Sequence, residues 1–94
     1  MAIYVMLSRL TDEGAKTITQ NPERIKEVNQ EIEKLGVTVV SQYATLSEFD
    51  FVNIVEAPDN ATSARVSADL ASRGSIRIQT LAAIPIDEFI AKFK

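Results

Sequence analysis

The chain is predicted to be an α+β domain, a four-stranded antiparallel sheet with helices on one face. Three features of the sequence lead there. The stretch Ser47-Glu48-Phe49-Asp50-Phe51-Val52-Asn53-Ile54-Val55-Glu56-Ala57-Pro58-Asp59 carries apolar residues on both alternations, the mark of a strand in the middle of a sheet. Two segments, opening at Asn21-Pro22 and Pro58-Asp59 and closing at Gly36 and Gly74, carry helix start and stop signals. Ser47-Glu48 joins two strand-like runs so briefly that they must be antiparallel neighbours.

Taken in order, Ile3 to Leu10 is a strand by β-branched and aromatic content. Thr11 then opens a short helical turn, with Asp12 and Glu13 at the positive end of its dipole and Gly14 weakening it. Asn21 is a good N-cap, and Pro22 suits the first helical position, where its missing N–H costs nothing. Ile25, Val28, Ile32 and Leu35 form one apolar stripe, and Gly36 ends the helix in the left-handed region. Val37 to Leu46 is the second strand. After the pivotal third, Asp59 or Asn60 caps a helix reaching about Arg73. Ala64, Ala68 and Ala71 share one side of it and are expected to let it approach the sheet closely. Ser75 to Ile84 is the fourth strand, and Pro85 breaks it. Asp87 caps a last helical turn bearing Phe89, Ile90 and Phe93, which cover either their own sheet or a neighbour.

The order β-α-β-β-α-β is the split βαβ arrangement of a ferredoxin-like sandwich. Right-handed crossovers place the first and third strands in the centre and both helices on one face. Residues 1–94 read as one domain, without a linker or low-complexity segment.

Composition narrows the chemistry. Ten Lys and Arg, scattered singly, stand against 13 Asp and Glu, a net charge of −3, which argues against a phosphate-tracking nucleic-acid binder. There is no Cys and no His, so thiolate sites, disulfides, His-ligated haem and Ser-His-Asp triads are excluded. The three glycines cannot build a dinucleotide or P-loop fingerprint. No signal peptide and no apolar run of about 20 residues is present, so the expected setting is the cytoplasm, without membrane contact. Neither a metal nor a cofactor is expected.

Helices on one face leave the other open. Val5, Leu7, Val52, Ile54, Ile76 and Ile78 are the expected helix-covered set. Tyr4, Met6, Ser8, Phe51, Asn53, Val55, Arg77, Gln79 and Leu81 would then line the open face, too apolar to stay in water. The expectation is a homodimer or higher homo-oligomer, sheet to sheet, enclosing a mixed interior. Tyr4, Ser8, Phe51, Asn53, Arg77 and Gln79 are its candidate ligand-binding residues for a small organic molecule. The same polar groups could instead bond only to one another. Tyr43 either lines the mouth of that interior or covers an edge strand.

Tyr4-Val5, Leu10-Thr11-Asp12-Glu13-Gly14, Pro22-Glu23-Arg24, Ser47-Glu48-Phe49-Asp50-Phe51-Val52, Glu56-Ala57-Pro58-Asp59 and Arg77-Ile78-Gln79-Thr80-Leu81 together resemble the GYD domain family over essentially the whole chain. Of the motif that names the family, Ser47 replaces the glycine and Phe49 the tyrosine; Asp50 remains. The resemblance implies a dimeric α/β-barrel architecture and supplies no activity. Cofactor-free monooxygenases, lactone isomerases and small-molecule-sensing regulators share that architecture, and a shared fold does not decide among them.

Asp50, between two phenylalanines, is the sharpest chemical candidate. In apolar surroundings its carboxyl would be pushed toward a useful proton-transfer range. Alternatively it accepts backbone amides, or pairs with Arg9, Lys16 or Arg24, to lock the hairpin. Arg77 either holds an anion with its planar fork or snorkels to solvent. Asp12-Glu13 and Asp87-Glu88 sit where helix starts want negative charge. Two functions follow: a homo-oligomeric small-molecule-binding or structural module, and a cofactor-free enzyme using Asp50 or Tyr4 for proton transfer.

Overall fold

The computed structural model describes residues Met1–Lys94. The chain runs β1 (Ala2–Leu10), α1 (Asp12–Gln20), α2 (Arg24–Lys34), β2 (Thr38–Ala44), β3 (Phe51–Ala57), α3 (Asn60–Ser72), β4 (Ile76–Ala83) and α4 (Ile86–Ala91). The strands form one antiparallel sheet in the order β2-β3-β1-β4, with β1 and β3 central as the crossover rule requires.

Local chemistry sets many of the boundaries. Gly36 (φ 98°) and Gly74 (φ 80°) take the left-handed conformation that ends α2 and α3. Asp59 is the N-cap of α3, its carboxylate accepting the Thr62 N–H at 2.8 Å. That bond holds the Asp59 carboxyl below its ordinary pKa. Thr11 caps α1 by accepting the Gly14 N–H at 3.1 Å.

The first crossover departs from expectation. It holds two helices, not a weak turn followed by one helix. Asn21 closes α1, its N–H donating to the Thr17 carbonyl, and α2 begins at Arg24 after a turn through Pro22. Gly14 is no weakness there. A Cβ on it would lie 1.9 Å from the Ser75 carbonyl oxygen, so only glycine lets α1 sit on the start of β4. Thr11 clamps the same junction: its N–H donates to the Ser75 carbonyl at 3.0 Å and its hydroxyl to the Gly74 carbonyl at 2.8 Å.

The sheet faces correct a second expectation. Tyr4 pairs with Val55, Met6 with Asn53 and Ser8 with Phe51, and Tyr4, Met6, Ser8 and Val55 are buried. In β1 and β3, therefore, this alternation lies beneath the helices, and Val5, Leu7, Val52 and Ile54 line the uncovered face. In β4 the expected assignment stands: Ile76 and Ile78 pack against the core, whereas Arg77, Gln79 and Leu81 point away from it. Both alternations of β1 and β3 are apolar, so hydrophobicity alone could not choose between them.

The core gathers Tyr4, Met6, Val55 and Ala57 from the sheet, Ile32 from α2, Val37 beside it, and Val66 and Leu70 from α3. On α3 the residues turned inward are Ser63, Val66 and Leu70; Ala64, Ala68 and Ala71 are exposed. The close approach expected of alanines is made by serines, with Ser67 and Thr80 sharing a hydroxyl–hydroxyl bond of 2.6 Å. The last helix, α4, packs closely on no other element. Phe89 and Phe93 stack edge to face, 5.2 Å between centroids, and remain exposed with Ile84, Ile86 and Ile90.

Candidate functional site

Between the sheet and the pair α1–α2 lies a cavity of about 290 Å³. That is the small end of the range for small-molecule sites. Both walls of the cavity are largely apolar, with polar groups set into the sheet side. The helices supply Ile18, Ile25, Val28 and Ile32, and the sheet supplies Met6, Phe51, Val55, Ile76 and Ile78 with Ser8, Gln42 and Asn53 among them. Apolar side chains closing onto the polar groups would leave them without hydrogen-bond partners.

The sheet floor carries an amide pair. Asn29 of α2 and Gln42 of β2 bond reciprocally, Asn29 Nδ2 donating to Gln42 Oε1 at 2.7 Å and Gln42 Nε2 to Asn29 Oδ1 at 3.2 Å. Gln42 is the register partner of Asn53. The Asn53 Oδ1 is out of solvent and has no hydrogen-bond partner, a costly state for a buried acceptor.

Charges form the rim. Arg24 and Arg73 line the cavity, and Glu31 bridges them, at 2.8 Å from Arg24 and in contact with Arg73. Arg24 also reaches Glu27 at 3.1 Å, and Arg73 reaches Asp69 at 3.0 Å. The network ties α2 to α3. Hydrogen bonds from Arg73 and then Arg24 hold the Glu31 carboxyl below its ordinary range, and both guanidiniums are raised in return.

The residues singled out from the sequence are distributed unevenly. Ser8, Phe51 and Asn53 meet in the cavity wall. Tyr4 shares their face but is spent elsewhere, its hydroxyl donating to Asn60 Oδ1 at 2.6 Å. Arg77 and Gln79 lie on the other side of the sheet, so the six candidates do not form one constellation. Tyr43, 60% exposed, sits on the edge strand in register with Val52 and faces away from the cavity.

Asp50 proves to be a structural latch. Its Oδ2 accepts the Leu10 N–H at 2.8 Å, its own N–H donates to the Ser8 carbonyl at 2.8 Å, and its carbonyl accepts from Thr45 N–H. The β2–β3 turn is thereby fastened to the end of β1. Arg9, instead of pairing with Asp50, lies 3.5 Å from Glu48 and 5.0 Å above the Phe49 ring. Phe49 keeps an aromatic face where the motif has tyrosine, and its use here is cation–π packing, which needs no hydroxyl. Neither Asp50 nor Tyr4 lines this cavity.

Asn29 and Gln42 were not singled out from the sequence. A signal existed: Asn29 follows Ile25 by four residues, placing an amide inside the apolar stripe of α2.

The comparisons with known proteins bear on the whole chain. The model of the GYD domain matches residues 4–92. A protein of Thermus thermophilus, named glutamine synthetase and cystathionine beta-lyase binding protein, is 58% identical over 95 residues, covering 100% of both chains. The crystal structure of TTHA0845, also from Thermus thermophilus, superposes with a TM-score of 0.59 at 21% identity, over 90% of this chain and 95% of that one, and shares the fold. With its antiparallel β2-β3-β1-β4 sheet, one helix-covered face and a family match running nearly end to end, the chain belongs to the GYD domain family.

Proposed function

We propose that the chain is a homo-oligomeric binding module that pairs through its uncovered sheet face and holds a small organic molecule beneath its helices. One observation carries this: the two faces of the sheet are built for different tasks. The uncovered face presents Val5, Leu7, Val52, Ile54 and Leu81, and no helix crosses it. The covered face places amides and a hydroxyl around a cavity. Apolar area of the first kind is covered by association; a polar recess of the second kind is suited to a ligand.

Four strands about 4.8 Å apart and roughly 17–20 Å long offer on the order of 300–400 Å² of flat face. A stable interface takes about 800 Å² from each partner. Side-chain relief and the exposed arm from Ile84 to Phe93 supply further apolar surface continuous with β4. The second copy is therefore proposed to meet both the sheet and α4.

Protein partners belong to the same proposal. The Thermus relative is named for binding two enzymes, and 58% identity over its full length supports a protein-binding role here. Light scattering after size exclusion tests the core of the reading: the expected mass is about twice 10.4 kDa. A Val52→Glu variant should run as a folded monomer by circular dichroism. A wild-type monomer at micromolar concentration overturns the pairing. Purified glutamine synthetase and cystathionine β-lyase, offered separately on a biosensor, test the protein-binding part; no response from either removes it.

A further inference from the structure

The cavity beneath α1 and α2 has a chemistry specific enough to name the class of molecule it would hold. We infer that the site formed by Asn53, Ser8 and the Asn29–Gln42 pair takes a small neutral molecule with an apolar body and a carboxamide or lactam edge. The inference rests on the proposal that the cavity is a ligand site, and goes beyond it to the kind of ligand.

The body follows from the walls. Ile18, Ile25, Val28 and Ile32 on the helices and Ile76 and Ile78 on the sheet surround the space with branched aliphatic side chains. They reward the burial of a flat apolar group at about 25 cal/mol per Å² of area removed from water.

The polar edge follows from the floor. Asn29 and Gln42 satisfy each other head to tail, donor to acceptor on both sides. Asn53, one strand over and in register with Gln42, carries the same carboxamide with no such partner for its oxygen. A second amide presenting N–H and C=O side by side would repeat for Asn53 what Asn29 does for Gln42. The Asn53 oxygen is shielded as the structure stands, so this pairing requires its last torsion, which is broad, to turn until both ends of the amide reach the space. Ser8, whose hydroxyl donates or accepts, stands on the adjacent strand in the same wall.

The charge follows from the rim. Arg24 and Arg73 are each engaged by carboxylates, Glu27 and Glu31 for the first and Glu31 and Asp69 for the second. Both guanidiniums are thus already engaged by carboxylates that stand outside the lining, and neither is free to hold an entering anion. Glu13 adds a carboxylate to the lining itself. A free carboxylate or phosphate is disfavoured, and a neutral amide is not.

Three molecules of nearly identical shape separate these statements: benzamide, acetophenone and benzoate. Acetophenone keeps the carbonyl and replaces NH₂ by CH₃; benzoate replaces the amide by a charge. Binding to the full chain is read by amide chemical-shift perturbation at millimolar ligand, with melting temperature as a second readout. Benzamide is expected to bind at least about tenfold more tightly than either analogue, because only it pairs Asn53 at both ends. Its perturbations should centre on Ser8, Asn29, Gln42 and Asn53. Asn53→Leu, confirmed folded by its spectrum, should erase the preference over acetophenone. Ile18→Phe, which fills the space from α1, should abolish binding of all three while leaving Asn53 intact.

Equal affinity for benzamide and acetophenone overturns the amide class and leaves the ligand site standing. Tighter binding of benzoate overturns the charge argument in the same way. No response to any of the three, or perturbations centred on the uncovered face around Arg77, overturns the site itself.

Discussion

The two ends of the helix layer cover the same sheet face and do so differently. Helix α3 lies tightly on it, with Ser63 and Val66 fully shielded and Ser67 bonded to Thr80. Helices α1 and α2 stand over a hollow of about 290 Å³. The difference is one of closeness of packing. Where α3 meets the sheet, Ser67 bonds Thr80 and the packing is close enough to bury the Ser63 hydroxyl without a partner. Where α1 and α2 meet it, isoleucines and a valine stand across a gap from Ile76 and Ile78 as well as from Ser8 and Asn53. Contact with the last two would leave their polar atoms without water. A well-packed region maximises stability; a looser one keeps space and unfilled hydrogen-bonding capacity, which is what a ligand needs.

The severest test of that contrast is Gly14→Ala. The added carbon would meet the Ser75 carbonyl at 1.9 Å, so α1 must lift from the sheet and the hollow must open. A loss of about 3 kcal/mol or more is expected in urea denaturation; an unchanged midpoint would show that α1 is not anchored there.

Val66→Ala and Ile25→Ala compare the two regions directly. Val66 has no exposed surface, and removing two methyls beneath α3 should cost about 2 kcal/mol. Ile25 already borders open space, so its truncation, though it deletes more atoms, should cost about 1 kcal/mol. Denaturation curves giving Ile25→Ala the larger loss would mean that the hollow closes in solution.

Asp50→Asn weakens the charge-assisted bond to the Leu10 N–H while leaving an oxygen to accept it. The expected loss is about 1 kcal/mol, seen as a lower melting temperature, with benzamide binding unmoved. Altered ligand affinity at unchanged stability would give Asp50 a functional role instead.

The smallest effect belongs to the charged rim. Glu31 has a folded-state pKa below its ordinary value, so its ion pairs stabilise the fold above the usual carboxylate range, about pH 4.3, and this is lost as pH falls through the depressed value. The carboxylate is 37% exposed and screened, which limits its worth to about 0.5–1 kcal/mol. Glu31→Gln should therefore lower the melting temperature at pH 7, and the difference should shrink as pH falls through the depressed value. A gap that persists undiminished into acid would assign the effect to packing.

Much of this was legible from residue order. Asp59, Gly36 and Gly74 mark helix ends through chemistry confined to a few neighbours, and the alternation of β4 separates its two faces cleanly because Arg77 and Gln79 alternate with Ile76 and Ile78. The cavity was only half legible. Ser8, Phe51 and Asn53 were singled out together, but with Arg77 and Gln79, which the sheet holds on its opposite side. Asn29 and Gln42 lie 13 residues apart across the α2–β2 connection, and nothing in either segment alone announces that their amides meet.

By itself, then, the amino-acid order determined the four strands, the central placing of β1 and β3, and the helix ends at Asp59, Gly36 and Gly74. Tertiary structure decided which alternation of β1 and β3 lies under the helices, the need for glycine at residue 14, and the latch made by Asp50. The physical reason is the same in each case. A cap or a turn is settled by atoms a few bonds away. The choice between two apolar faces, or the room left for a single Cβ, depends on what distant segments press against it.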